Sequence, residues 1–207
     1  MNKISIIDYG LCNLYNVSNA LDYLKAKVEI IEKPDDVTNA THLILPGVGA
    51  FKNGMRGLKI RNLIEPIKEH VDKDKPFLGI CLGMQMMLSK SYEFGEISGL
   101  DIIDGEVVKI PQINNTGEAH KIPHIGWNKI IYKEDKLMNG QNSKSSMYFV
   151  HSYKAECKNE ESVLAHTLYN DVKITAIIKS KNAYGCQFHP EKSGNYGLRL
   201  LNEFIKL

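Results

Sequence analysis

Long apolar runs and an excess of either charge are missing from this sequence. No apolar run approaches the ~20 residues of a membrane helix, and the first ten residues, MNKISIIDYG, lack the apolar core of a secretory signal. The 26 basic and 24 acidic residues leave a net charge of +2. There is therefore no excess of basic residues that would favour binding to nucleic acid or to an acidic lipid surface. We therefore expect a cytoplasmic protein that binds neither nucleic acid nor membranes.

Cysteines are few and far apart. The four cysteines are Cys12, Cys81, Cys157 and Cys186, and no two of them form a C-x-x-C pair. This spacing does not suggest a zinc site, and a reducing cytosol disfavours a disulfide framework. We expect no metal and no organic cofactor. Each cysteine is first interpreted as a small buried apolar residue.

The hydrophobic pattern divides the 207 residues into two halves. The first half alternates strands (3–8, 27–32, 41–46, 75–80) with helices (13–25, 55–71 and one beginning at 83). The second half is rich in strands (105–110, 126–132, 147–153, 162–167, 174–180), with a polar loop at 111–121 and a closing helix at 195–207. We predict a single α/β domain over 1–207. It would be a three-layer, flavodoxin-like, mostly parallel sheet flanked by helices, with an added antiparallel β section.

The segment GICLGMQ, residues 79–85, places a cysteine where a buried strand turns into a helix. A nucleophile at such a turn is lifted to the carboxyl edge of the sheet, and the crowded positions on either side favour Gly79 and Gly83. The start of the following helix favours the thiolate. The pattern predicts that Cys81 is a nucleophile. The alternative is an ordinary strand–turn–helix junction with a buried thiol.

A thiol nucleophile needs a base, and the base needs a group that orients it. Among the seven histidines, His189 in FHPEKS stands two residues before Glu191. In an extended chain these two side chains face the same way, so the carboxylate would fix the imidazole tautomer. By itself the segment could be a surface turn. With the cysteine turn, the order Cys81, His189, Glu191 predicts a catalytic triad.

The segment LPGVGAF, residues 45–51, also follows an apolar strand and would reach the same sheet edge. Its glycines let backbone N–H groups turn toward an oxyanion, and the N–H of Leu82 is the natural second donor. A nucleotide-binding loop is the competing interpretation, but the third glycine of G-x-G-x-x-G and any P-loop lysine motif are missing.

These segments together resemble the class I, or triad, glutamine amidotransferases. DYGLCNL, PGVGAF, GICLGMQ, PHIGWN, YFVHSY and FHPEKS occur in the order found in one branch, the glutaminase subunits of imidazole glycerol phosphate synthase. The resemblance spans essentially the whole chain. It implies that L-glutamine is hydrolysed to glutamate and ammonia by Cys81 as nucleophile, His189 as base and acid, and Glu191 as orienter.

The resemblance also implies roles for residues around the triad. Val48 or Gly49, together with Leu82, would supply the N–H groups that bind the oxyanion. In this family the PGVG peptide can rearrange before the oxyanion site is complete. The residues implied to contact glutamine are Gln85, His151, Ser152 and Tyr153. From its residue type alone, His151 is equally a structural histidine. Tyr148, Val150 and Ser152 would share one face of a strand, with Phe149 and His151 on the other.

A partner subunit is implied in the same way. Family members form a heterodimer with a (β/α)8-barrel cyclase subunit, which uses the ammonia to form imidazole glycerol phosphate and aminoimidazole carboxamide ribonucleotide in histidine biosynthesis. Asn13, Trp127 and Lys192 match positions that face this subunit. Without the family, the single tryptophan would be read as core and Lys192 as a surface charge.

Three alternatives stay open at this point. Cys12 stands where the family usually has glycine. A paralogous group that supplies ammonia for modified nucleotide sugars of surface glycans is also compatible with the sequence. The features that suggest it are Cys12, the 111–121 loop, SYEFGEISGL and KIPHIGWN. A second alternative is a non-catalytic interaction subunit on the same fold, against which the intact triad argues. A third is a stand-alone cysteine hydrolase, which the H-P-E order and PHIGWN disfavour.

Overall fold

An eight-stranded mixed sheet forms the centre of the molecule. The structure is a computed structural model and describes residues 3–142 and 144–207. The strands of the central sheet are β1 (Lys3–Ile7), β2 (Lys27–Ile31), β3 (His42–Gly47), β4 (Phe77–Cys81), β9 (Ile131–Tyr132), β12 (Val163–Tyr169), β13 (Val172–Ser180) and β14 (Ala183–Cys186). Their order is β2-β1-β3-β4-β14-β13-β12-β9, in which the first five strands are parallel and the last three are added antiparallel.

Helices cover both faces of this sheet. They are α1 (Leu14–Tyr23), α2 (Pro34–Asn39), α3 (Phe51–Ile60), α4 (Ile64–Asp72), α5 (Leu82–Met86) and α6 (Gly194–Ile205). One core joins α2, α3, α4 and α5 to one face, and a second core joins α1 and α6 to the other. Strands β3 and β4 are buried along their whole length, which explains why they read as continuous apolar runs. The predicted three-layer α/β fold is confirmed.

Two smaller sheets accompany the central sheet. β8 (His124–Lys129) pairs with β10 (Ser146–His151) in an antiparallel ribbon. The other sheet has the order β11-β7-β5-β6, with β5 (Leu88–Ser91), β6 (Ile97–Ser98), β7 (Ile103–Lys109) and β11 (Tyr153–Cys157). In β10 the side chains of Phe149 and His151 are buried while Tyr148 and Val150 are half-buried, so the predicted alternation is confirmed.

Two predicted helices were wrong in extent. The helix expected over 55–71 is two helices, α3 and α4, because Asn62 adopts a left-handed φ of 55° between them. Pro66 then falls in the first turn of α4, where its missing N–H breaks no helical hydrogen bond. The helix expected from Gly83 ends at Met86, because residues 88–91 form β5 beside β7. Residues 111–121 form a loop with one isolated bridge, Ile113 to Ala119.

Candidate active site

Cys81 lies at the sharp turn between β4 and α5. Its φ of 54° and ψ of −107° are unusual for a residue with a side chain, as expected of a strained nucleophile turn. A Cβ on Gly79 would lie 2.7 Å from the backbone of Gly83, and a Cβ on Gly83 would lie 1.8 Å from the carbonyl oxygen of Leu45. The flanking glycines are therefore required by close backbone contact between α5, β4 and β3.

His189 and Glu191 are held next to each other just beyond β14. His189 Nδ1 lies 2.8 Å from Glu191 Oε1, and both side chains are buried. The predicted contact is present, but the predicted extended chain is wrong, because residues 190–192 form a single 3-10 turn. The turn is fixed by the backbone bond from His189 N–H to the Tyr148 carbonyl and by Ser193, whose hydroxyl donates to the His189 carbonyl.

The protonation of His189 is set by its two neighbours. Burial lowers the pKa of His189, but hydrogen bonds and charges from Cys81 and Glu191 outweigh burial and raise that pKa to about 10. The imidazole is therefore protonated at neutral pH and places a positive charge beside the sulfur of Cys81. Since Nδ1 contacts Glu191, Nε2 is the nitrogen left to face the sulfur. Glu191 Oε2 is buried with no hydrogen-bond partner among the described residues.

Cys81 and His189 line a single cleft of about 310 Å³ at the carboxyl edge of the sheet. Its lining brings together nine of the ten predicted catalytic, oxyanion and substrate residues: Val48, Gly49, Cys81, Leu82, Gln85, His151, Ser152, Tyr153 and His189. The cleft lies where parallel α/β sheets place their sites, beyond the ends of β3, β4 and β14. Glu191 lies behind His189, in contact with its Nδ1.

The segment after β3 forms one wall of the cleft. The N–H of Val48 donates to the carbonyl oxygen of Leu11 at 3.1 Å, so in this conformation it does not point at an oxyanion. Gly49 has a φ of +96°, which a residue with a side chain rarely adopts. A Cβ on Gly47 would lie 2.3 Å from the Tyr9 hydroxyl. The wall therefore has glycines where the backbone is tightly packed or left-handed.

Three of the four predicted glutamine-contacting residues, Gln85, His151 and Tyr153, are joined by hydrogen bonds. Gln85 Nε2 donates to the carbonyl oxygen of Tyr153 at 3.2 Å, and His151 Nδ1 lies 2.7 Å from the same oxygen. His151 Nε2 lies 2.9 Å from Nδ1 of His124. Burial lowers the pKa of His151 to about 3, so its ring is neutral. Both nitrogens of His151 are engaged inside the protein, which favours a structural role for this side chain over direct contact with a ligand.

Comparison with known proteins agrees with this geometry. The sequence model of the family described as "Glutamine amidotransferase class-I" matches residues 5–207. The chain belongs to the class-I glutamine amidotransferases. Within that family it is 49% identical, over the full length of both chains, to "Imidazole glycerol phosphate synthase subunit HisH 1" of Legionella pneumophila strain Paris. It is 44% identical to "Imidazole glycerol phosphate synthase subunit HisH" of Lactococcus lactis, covering 100% of this chain and 99% of the relative.

The fold of this amidotransferase also matches solved structures. The structure titled "Structure of PurLQS from Thermotoga maritima" superimposes with a TM-score of 0.74, covering 100% of this chain and 99% of that one. At 16% identity this likeness shows the fold alone. The predicted resemblance to amidotransferases, and to the imidazole glycerol phosphate synthase branch among them, is confirmed by the sequence relatives.

The residues predicted to face a partner lie near the mouth of the amidotransferase cleft. Trp127 is 56% exposed, so the interpretation of this single tryptophan as core is wrong. It pairs across the ribbon with Tyr148, on the same face as Val150 of the cleft lining. Lys192 is exposed on the turn that follows His189, and α1, which Asn13 precedes, packs against that turn.

Two residues of the site were missed by the sequence analysis. Glu93 lines the cleft, and its Oε2 accepts a hydrogen bond of 2.7 Å from the N–H of Phe51 at the start of α3. Gln187 is fully buried, and its Nε2 lies 3.7 Å from Cys81 Sγ. Glu93 lies within SYEFGEISGL, which was singled out for its likeness to the paralogous group and not as part of the site. Gln187 stands two residues before His189, in the segment already singled out for its histidine.

Other parts of the amidotransferase carry no sign of a metal site or a membrane span within the described residues. Within residues 3–142 and 144–207, no group of three or more His, Cys, Asp or Glu side chains is arranged to hold a metal. No helix in that part of the chain is long and apolar enough to cross a membrane. A wider depression of about 690 Å³ lies along β9 and β12, away from Cys81. All four cysteines are free thiols.

Proposed function

We propose that this protein is the glutaminase subunit of an imidazole glycerol phosphate synthase, with Cys81, His189 and Glu191 as its catalytic triad. The proposal rests on one observation. A strained Cys81 and a His189 bonded to Glu191 at 2.8 Å belong to a single cleft at the sheet edge. Relatives at 49% and 44% identity are named as imidazole glycerol phosphate synthase subunits, which supports that branch and, with it, histidine biosynthesis.

The first half of the reaction follows from the charges in the cleft. The Cys81 thiolate attacks the side-chain carbonyl carbon of L-glutamine, and the carbonyl oxygen becomes an oxyanion. Protonated His189 then gives its Nε2 proton to the amide nitrogen, the C–N bond breaks, and ammonia leaves. A thioester between Cys81 and the glutamyl group remains. Glu191 keeps the imidazole in the tautomer that presents Nε2 to the cleft.

The second half regenerates the enzyme. Neutral His189 takes a proton from a water molecule, the hydroxide attacks the thioester carbonyl, and glutamate leaves as the Cys81 thiolate returns. Both oxyanions need two N–H donors, for which we propose Leu82 and the Val48–Gly49 segment. Because the N–H of Val48 is bonded to Leu11 at 3.1 Å, that bond must break, or Gly49 must supply the donor, before the oxyanion site is complete.

The glutamine itself would be held by the cleft lining. Both N–H groups of Gln85 are used by Tyr153 and Gln187, so only its oxygen is left, and that oxygen can accept a bond from the α-ammonium group of glutamine. Ser152 and Tyr153 would contact the substrate from the opposite wall. His151 would act by holding the Tyr153 carbonyl in place.

The ammonia would pass to a (β/α)8-barrel cyclase subunit. Free ammonia is protonated in neutral water and then cannot act as a nucleophile, so a covered route from the cleft to the partner keeps it reactive. The face around Trp127, Lys192 and Asn13 adjoins the cleft and offers that contact. We expect the complex to work in the cytoplasm, where a reducing environment keeps Cys81 a free thiol.

The first test is a Cys81→Ala variant in complex with the barrel subunit encoded in the same genome. We expect glutamine-dependent synthesis to be abolished and ammonia-dependent synthesis to continue. Loss of both activities would mean that Cys81 has a structural role. Undiminished glutamine-dependent synthesis would refute Cys81 as the nucleophile.

The acceptor of the ammonia is tested by glutamate release from the wild-type complex, with and without the nucleotide substrate of the cyclase. We expect the chain alone to be slow and the nucleotide to stimulate the complex strongly. Fast hydrolysis by the isolated chain, unchanged by partner and nucleotide, would contradict the proposed coupling. Activity with the barrel but without a response to the nucleotide would point to the nucleotide-sugar branch.

A further inference from the structure

We propose that Gln187 is a further catalytic residue of this site: its buried side-chain amide donates a hydrogen bond to the sulfur of Cys81 and stabilises the thiolate. This inference rests on the proposed role of Cys81 as nucleophile. It assigns to Gln187 a task different from that of the triad, because the amide exchanges no proton with the substrate or with the sulfur.

The sheet places Gln187 level with the nucleophile. Strands β14 and β4 are parallel, and Cys186 pairs with Ile80, so the next residues along the two chains are Gln187 and Cys81. The backbone N–H of Gln187 donates to the Ala176 carbonyl at 2.9 Å, which fixes the residue at the end of its strand. Its side chain is fully buried, and its Nε2 lies 3.7 Å from Cys81 Sγ, a reasonable N–H···S distance because sulfur is a large atom.

The neighbouring groups decide which end of the Gln187 amide faces the sulfur. The carbonyl oxygen of Tyr153 can only accept, so Gln85 must point its Nε2 toward that oxygen, at 3.2 Å. The second N–H of Gln85 then donates to Oε1 of Gln187 at 3.0 Å. With its oxygen engaged there, Gln187 turns its own NH₂ group toward Cys81. Reversing the Gln85 amide would place its side-chain oxygen against the carbonyl oxygen of Tyr153, where neither atom can donate.

The position of Gln187 predicts how it affects catalysis. An amide N–H favours a negatively charged sulfur over a neutral one, so it raises the fraction of thiolate at a given pH. Gln187 does not belong to the lining of the cleft, so it should have little effect on glutamine binding. We therefore expect its removal to lower kcat of the glutaminase at neutral pH, with little change in KM. Gln85, which holds the Gln187 amide, acts as its positioning residue.

The test is the rate of alkylation of Cys81 by iodoacetamide as a function of pH, followed by peptide mass spectrometry on the full chain. Burial raises the pKa of Cys12 and Cys186 and raises that of Cys157 to about 11, so these thiols react slowly and are resolved by their peptides. In Gln187→Met we expect the pH of half-maximal alkylation to rise by about one unit, the shift that corresponds to losing one hydrogen bond to a charged group. The whole profile should move to higher pH.

The rate at high pH separates this role from general damage. Once all of the sulfur is ionised, a thiolate without its donor is at least as nucleophilic, so the plateau of Gln187→Met should equal or exceed that of the wild type. A matched control is Gln141→Met, which removes a glutamine whose Nε2 donates to the Tyr196 carbonyl at 2.9 Å, away from the cleft. That variant should keep the wild-type profile.

A second variant keeps the test decisive if Gln187→Met does not fold. Gln187→Glu has the same shape and can still accept from Gln85, but it presents an oxygen to the sulfur, so the alkylation profile should move further to higher pH. A folded variant of either kind with the wild-type profile would overturn the role of Gln187. If instead Cys81→Ala retains glutaminase activity, the proposed function fails and the alkylation data concern a structural thiol only.

Discussion

Replacing Gly83 with alanine tests whether close backbone packing creates the nucleophile turn. The added Cβ would lie 1.8 Å from the Leu45 carbonyl oxygen, whereas real Cβ atoms essentially never approach within 3.0 Å. The gap between α5 and β3 would have to open by roughly 1.2 Å, and neither partner is a flexible side-chain end. Since α5 begins directly after Cys81, that shift would displace the sulfur.

The expected sign and size follow from this geometry. In a helix with free space, Gly→Ala stabilises by up to about 1 kcal/mol. Here overpacking should instead reduce the free energy of unfolding by about 2–3 kcal/mol, which lowers the melting temperature of a chain of this size by about 4–12 °C. A displacement of the order of 1 Å at the nucleophile costs about 100-fold in rate. We therefore expect glutaminase turnover to fall by about that factor.

The assay is thermal unfolding followed by circular dichroism, together with glutamate release in the partner complex. Gly117→Ala is the control, because Gly117 has a φ of +86° and no described atom would lie within 4 Å of its Cβ. That variant should lose only about 1–2 kcal/mol of unfolding free energy, because alanine is strained in a left-handed backbone, and it should keep full turnover. If Gly83→Ala is as stable and as active as the wild type, close packing is not the reason for glycine at this position.

Two further predictions concern the imidazole. Glu191→Gln should lower kcat by about 100-fold or more, and should also lower the melting temperature at neutral pH, because the buried imidazolium loses its counter-charge. An unchanged kcat in steady-state kinetics would remove Glu191 from the triad. The pKa of His189 is raised from 6.5 to about 10, so its stabilising contribution is complete below pH 6.5 and is lost as pH rises toward 10. The difference in melting temperature between wild type and His189→Asn should therefore shrink over that range. A difference that stays constant would show that His189 keeps its ordinary pKa.

The sequence predicted those features that depend on local pattern. Apolar runs bounded by turn residues identified β1, β3 and β4, and helical spacing identified α1 and α6, because burial on a sheet face or a helix stripe leaves a period in the sequence. The turn glycines pointed to Cys81 as the nucleophile. Its left-handed φ and the crowding around Gly79 and Gly83 are the structural reasons for that pattern.

Other features could not be predicted because they depend on contacts between distant segments. The break between α3 and α4 depends on the left-handed Asn62, which apolar periodicity does not reveal. The contact between His189 and Glu191 was expected for the wrong reason, since a 3-10 turn brings the two side chains together. Glu93 reaches the cleft from a loop after β5, 42 residues from the helix end that it caps. The single domain over 1–207 stays a prediction.

By itself the sequence determined the fold class, the family and the three residues proposed as the triad. The fold class follows from the alternation of apolar segments along the chain, and each triad residue stands in a short segment whose residue types the chemistry requires. Only the tertiary structure decided which atoms face one another. The parallel register of β14 with β4 sets Gln187 beside Cys81, and the carbonyl of Tyr153 orients the amides behind the sulfur. These contacts join residues far apart in the chain, so their hydrogen-bond directions exist only after the sheet has formed.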